Sequence, residues 1–239
     1  MRALRGKNWW FKVHYPAILD LAGRYLQPGM RVLDLGSAGG WSSAELPNGV
    51  KRILLDLRPA ALEISDGPIL GRVCGDAHFI PLGDGSCDAV ICEGLLHQCE
   101  ATSPRQIVEE AVRVCRPGGV IISAEPAFNC LFGAHDLVFG GCRRYTLRSL
   151  EKLFLGLPVR CLKRTYLHLF AFPPAWVVRK VSRRAATDLS LGNSLTNTFC
   201  VWMGALERQL ARRWTLPFGV TALLIMRKES KTSPVGDRP

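Results

Sequence analysis

Two patterns of hydrophobic and polar positions alternate between residues 31 and 124. Four short apolar runs, RVLDL at 31–35, RILLD at 52–56, DAVIC at 88–92 and GVIIS at 119–123, each give way to Gly, Asp or Glu. They do not alternate residue by residue, which predicts parallel strands covered on both faces. Helical stretches separate them. Ser103, Pro104 and Gln106 spell an N-cap, a first-turn proline and the far side of a capping box. The helix then runs through Ile107, Val108, Ala111, Val112 and Cys115 until Pro117-Gly118-Gly119 stops it. Strand–helix–strand repetition of this kind predicts right-handed crossovers and a doubly wound α/β sheet.

The flanks add less regular elements. Residues 8–26 read as a helix, Thr146 as the cap of another through Leu155, and 159–166 and 220–226 as strands. Phe199, Trp202, Met203, Leu206 and Leu210 recur at helical spacing, with Glu207, Arg208 and Arg212 on the other face. The chain is expected to form a single domain over 1–228, with a ligand-binding core at 28–125, a substrate-side lid and C-terminal strands at 126–228, and a disordered tail at 229–239.

Composition narrows the class. With 48% apolar and 21% charged residues, the chain has material for a core and too little charge for disorder. No apolar run approaches the ~20 residues of a membrane span. The N-terminal stretch has positive charge but no apolar region behind it, so a secretory signal is not expected. The nine cysteines are odd in number and form no C-x-x-C, which points to reduced thiols, a cytoplasmic protein and no metal site. Charge is distributed unevenly. Residues 1–147 hold 15 basic and 15 acidic side chains, whereas 148–239 hold 16 and 5 and supply the whole net charge of +11. The C-terminal part therefore either faces something anionic or is simply a well-solvated basic face.

The first strand runs into a turn of small residues, Gly36-Ser37-Ala38-Gly39-Gly40, where a ligand can approach the backbone and the next helix is expected to offer its N-terminus. Such a turn alone fits NAD, FAD, S-adenosylmethionine or no ligand. Asp34, Asp56 and Asp76 narrow the choice, because three carboxylates around one pocket suit a cationic amino acid end and would repel a pyrophosphate. Each Asp taken singly could instead cap a helix or form an Asx-turn.

These segments resemble the class I S-adenosylmethionine-dependent methyltransferases, in the broad group with ubiquinone/menaquinone-type and other small-molecule enzymes. VLDLGSAGG, LLDLRPAAL, GDAHFIPLGDGSCDAVICEGLLHQ and RVCRPGGVIIS match in order. The resemblance implies a Rossmann-like, seven-stranded, mostly parallel sheet with helices on both faces, and S-adenosylmethionine as cofactor. It further implies Gly36, Ser37, Ala38 and Gly40 along the methionyl part and Asp34 near the ammonium. Asp56 is implied at the ribose, Asp76 with Ala77 at the adenine, and Leu57 and Glu93 at the cofactor too. Ala38 stands where the family usually has Gly. Pro126-Ala127-Phe128, Ala134-His135-Asp136, Arg143-Arg144-Tyr145-Thr146 and LPFGV at 216–220 resemble a bacterial subgroup of unknown substrate, extending the likeness over about residues 9–228. That subgroup usually has His where this chain has Cys142.

Methyl transfer to an oxygen, carbon or nitrogen atom demands alignment and, for a hydroxyl or carbon acid, a base. His97, Glu93 and Asp136 are the catalytic candidates; Glu125, His135, Arg144 and Tyr145 are the substrate-side ones. His97 could instead simply pack, and Asp136 could pair structurally with Arg143 or Arg144. The apolar stretches 166–181 and 199–210, beside several arginines, suit a small or amphiphilic acceptor and a peripheral contact with an anionic membrane. They could equally form the core of the C-terminal half. The alternatives are an RNA methyltransferase, for which no appended RNA-binding module is visible, and a non-catalytic protein on the same fold. A nucleic-acid partner is not expected, and the sequence does not set an oligomeric state.

Overall fold

The computed structural model describes residues 8–40, 43–64, 68–98, 104–181 and 194–230. In chain order these form α1 (Trp9–Gly23), β1 (Arg31–Leu35), β2 (Lys51–Asp56), α2 (Pro59–Glu63), β3 (Ile69–Cys74), β4 (Cys87–Glu93), α3 (Pro104–Val114) and β5 (Cys115–Pro126). Then follow α4 (Ala134–Val138), α5 (Leu147–Lys152), β6 (Val159–Leu167), α6 (Phe172–Val181), α7 (Ser194–Arg213) and β7 (Thr221–Lys228). One seven-stranded sheet has the order β3-β2-β1-β4-β5-β7-β6. Only β7 runs against the others, pairing antiparallel with both β5 and β6. The carboxyl ends of the remaining six strands therefore lie along one edge, where ligands gather in open α/β sheets.

Side-chain alternation along the strands assigns the two faces. Leu33, Leu35, Val90 and Ile121 pack under Ile107, Val108 and Ala111 of α3. Val32, Ile91 and Ile122 pack on the other side, under Ile18 and Leu21 of α1 and Ala211 of α7. Thr146 caps α5, its hydroxyl accepting from the Ser149 amide. Ser103 lies outside the described residues. Gln106 of the expected capping box donates to the His78 carbonyl and ties α3 to the loop after β3. Of the expected tail, Glu229 still donates its amide to the Pro158 carbonyl, and residues 231–239 lie outside the described residues.

Two expectations are corrected. The helix expected after the Gly-rich turn is absent from the described residues of 36–50, which form turns. Gly39 and Gly40 take left-handed backbone that a right-handed helix cannot continue, and Pro47 follows seven residues after Gly40. The second correction concerns α7. Its apolar stripe faces outward rather than joining the core, while Glu207, Gly204 and Ala211 face inward and are buried. A Cβ at Gly204 would stand 2.3 Å from Cγ1 of Val13, so glycine is what lets α7 lie so close to α1. Glu207 accepts the amide of His168 at the start of a 3-10 turn (Leu169–Ala171). Burial raises its pKa, and the amides of His168, Leu169 and Phe170 pull it back down.

Candidate active site

The turn after β1 is held by its own strand neighbours. The amides of Gly36 and Ser37 donate to the Leu55 carbonyl at 2.9 and 3.0 Å. Asp56, at the end of β2 and buried, accepts the Ala38 amide on Oδ2 at 2.8 Å and the Arg58 amide on Oδ1 at 2.9 Å. The chain then passes through left-handed backbone at Gly36, Ala38, Gly39 and Gly40. Ala38, at φ 45°, is the one member with a Cβ, in a region L-residues enter at a cost. Ala38→Gly is accordingly expected to stabilise the protein by about 0.5–1 kcal/mol, the relief of strain exceeding the added chain entropy. A thermal unfolding midpoint higher by roughly 2 °C would be the sign, and a lower midpoint would show the turn unstrained.

Asp34 is buried in β1, and the Ser37 hydroxyl is buried with no hydrogen-bond partner among the described residues. Asp76 follows β3 and stands half exposed. It accepts both the amide and ring Nδ1 of His78, at 2.9 and 2.7 Å, and the amide above all lowers its pKa. Leu57 and Phe79, beside Asp56 and Asp76, are large apolar side chains left exposed, whereas Ala77 is buried. Leu95 covers Gly36, where a Cβ would meet its Cδ1 at 2.9 Å. The donor set is acceptor-rich: three carboxylates and one orphan hydroxyl, with apolar side chains at the outer end. Each Asp56 oxygen retains a second lone-pair direction beyond its amide bond. That chemistry fits a ligand with an ammonium, ribose hydroxyls and an adenine, and the residues present match S-adenosylmethionine.

The catalytic and substrate-side candidates separate into two structural groups and one open group. Glu125, fully buried at the end of β5, accepts the amides of Leu95, Leu96 and His97 and the His97 ring Nδ1 at 2.9–3.2 Å. His97 is thereby fixed inside the protein. Tyr145, also buried, donates its hydroxyl to the Leu96 carbonyl, and the Cys142 amide donates to the His97 carbonyl. Asp136 is buried between Arg144, at 2.7 Å, and Arg179, at 3.3 Å, and also accepts the Gly133 amide. Arg144 reaches on to the Ala127 carbonyl. Of the two roles considered for Asp136, this is the geometry of a structural pair, with Arg144 as one partner and Arg179 as an additional one. His135 packs its ring on Phe139, 4.7 Å away.

Glu93 is different. Its Oε1 accepts from His14 Nε2 at 2.9 Å, and its side chain keeps about a fifth of its surface exposed. His14 Nδ1 in turn lies 3.0 Å from His168 Nε2, and Trp10 stacks on the His14 ring at 4.6 Å. His168 is completely buried; its Nδ1 has no partner among the described residues, and burial, then the nearby His14, pushes its pKa well below the usual histidine value. The Glu93 carboxylate accepts from His14 Nε2, and the donor between His14 Nδ1 and His168 Nε2 is set by the tautomers of the two rings. Neither histidine stood out in the sequence. The available signal was Trp10 and His14 four residues apart on one helix face, together with His168 at the end of β6.

Comparison with known proteins bears on the fold and on the cofactor. Residues 33–123 match the family model described as a methyltransferase domain. The chain is 31% identical over 201 residues to an uncharacterised 37.1 kDa protein of transposon Tn4556 from Streptomyces fradiae, covering 79% of this chain and 57% of that one. It is 40% identical over 135 residues to the demethylmenaquinone methyltransferase of Beutenbergia cavernae, covering 52% of this chain and 53% of that one. It thus spans little more than half the length of these relatives. The N-methyltransferase NodS of Bradyrhizobium japonicum, solved with S-adenosyl-L-homocysteine, superposes with a TM-score of 0.60 at 12% identity, over 96% of this chain and 98% of that one. The sheet, the turn after β1 and the methyltransferase-domain match at 33–123 together support a class I S-adenosylmethionine-dependent methyltransferase of the small-molecule type.

Proposed function

We propose that the protein transfers a methyl group from S-adenosylmethionine to an oxygen, carbon or nitrogen atom of a small or amphiphilic acceptor. The observation that carries this is the placement of Asp34, Asp56 and Asp76 at the ends of three successive strands, beside a Ser37 hydroxyl that has no partner among the described residues. When bound, the cofactor supplies a methyl already activated on a sulfonium, so the chain's own task is positioning and proton handling. Asp34 would face the ammonium, Asp56 the ribose hydroxyls, and Asp76 the adenine amine, with Leu57 and Phe79 against its ring. Glu93 would take the acceptor proton on Oε2, the oxygen His14 does not hold, and His14 and His168 would keep that carboxylate oriented. The demethylmenaquinone methyltransferase among the relatives favours an amphiphilic ring acceptor carrying a hydrophobic tail.

Titration calorimetry with S-adenosylhomocysteine tests the cofactor reading. Asp56→Ala is expected to weaken binding about 10–100-fold, the worth of hydrogen bonds to a charged acceptor. Undiminished affinity in that variant, or preference for a phosphorylated dinucleotide, would overturn it.

A further inference from the structure

The outward face of α7 has no counterpart in the methyl-transfer reading. Leu195, Phe199, Trp202, Leu206 and Leu210 recur every three or four residues on one side of the helix, and Trp214 follows its end. These six side chains are between 47% and 80% exposed. An isolated exposed leucine is ordinary, but a contiguous stripe down a twenty-residue helix is not. The residues that could have turned this helix around point the other way: Glu207 is spent on the His168 amide, Gly204 lies against Val13, and Ala211 is in the core. Trp176, Val177 and Val178 of α6 are exposed as well, and both helices pack on the 3-10 turn at Leu169–Ala171.

We infer that the outward face of α7, with α6, docks on an anionic lipid bilayer. Charge selects that occupant. The only carboxylate in either helix is the buried Glu207, while Lys180 and Arg213 are exposed, Arg213 on the apolar face itself. The segment from 148 onward carries 16 basic and 5 acidic residues. An apolar stripe that carries Trp202 and ends at Trp214, with cations but no exposed anions, matches the boundary between acyl chains and phosphate headgroups. Among the described residues no helix is long and apolar enough to cross a membrane, so the contact is peripheral.

The test is sedimentation of the full chain with vesicles of phosphatidylcholine alone and of phosphatidylcholine mixed with phosphatidylglycerol. Binding is expected on the mixed vesicles, with a blue shift of tryptophan fluorescence and release by salt. The double substitution Phe199→Ser, Trp202→Ser should lower the partition coefficient about tenfold or more while the unfolding midpoint stays put. Arg213→Glu, which leaves the apolar stripe intact, should weaken binding to the mixed vesicles alone. The inference is overturned by absence of vesicle binding or by equal binding to neutral vesicles. A concentration-dependent dimer lost in the double variant without vesicle binding would assign the face to a second copy, and RNA binding that the same variant abolishes would assign it to nucleic acid; either overturns it. Cofactor calorimetry is independent of all these outcomes, so the two readings fail separately.

Discussion

Glu125→Ala is expected to cost about 3–5 kcal/mol of folding stability, the range for breaking a buried charged hydrogen-bond network. The carboxylate is fully buried at the end of β5 and holds three consecutive amides, of Leu95, Leu96 and His97, together with the His97 ring. Without it those donors stay buried with nothing to bond. The damage spreads, because the Tyr145 hydroxyl and the Cys142 amide rest on the carbonyls of the same loop. Leu95, which this loop sets over Gly36, would lose its anchor as well. Glu125→Gln should cost less, since one oxygen still accepts, but its amide group would face the His97 amide. Urea unfolding at constant m-value measures both. If Glu125 served only to contact an acceptor, neither variant would lower the midpoint.

That contrast shows where the sequence was legible. β1, β2, β4 and β5 could be placed because strands covered on both faces are written as unbroken apolar runs, and the turn after β1 because small residues cluster at a strand end. Glu125 could be placed at the carboxyl edge, but not its direction: a strand-end carboxylate can point to a ligand or back to the neighbouring loop. The three aspartates show the same ambiguity. Asp56 holds the turn's amides while still presenting lone pairs, so capping and ligand binding need not exclude one another. Helical periodicity located α7 but could not say which face is inward, because a buried Glu207 and a glycine contact are tertiary facts. The pairing of His14 with His168 spans 154 positions in the sequence and left no local pattern.

Glu93→Gln is expected to lower the methyl-transfer rate about 10²–10⁴-fold, the usual contribution of a general base, while S-adenosylhomocysteine affinity stays within a few-fold. Transfer of labelled methyl to a reduced quinone, one acceptor of the amphiphilic class proposed above, provides the rate. Glutamine still accepts from His14 Nε2 through its carbonyl, so the ring geometry survives and only proton uptake is lost. A rate drop accompanied by loss of cofactor binding would instead place Glu93 on the cofactor side, the other role implied for it. The histidines behind Glu93 give a readout that needs no acceptor. His168 is neutral in the folded protein because burial holds its pKa well below 6.5, whereas the unfolded chain protonates it normally. Its contribution is complete above about pH 6.5 and is lost as pH falls toward the folded value, with a slope approaching roughly 1.4 kcal/mol per pH unit. Glu207, whose pKa is raised mainly by burial, acts oppositely, favouring the folded state below the ordinary carboxylate range and less so above it. Wild type minus His168→Gln isolates the histidine: the difference in pH slope between about 5 and 6.5 should be close to one proton. A slope unchanged by the substitution would mean that His168 takes up a proton as readily in the folded protein as in the unfolded chain, so that burial does not hold it neutral.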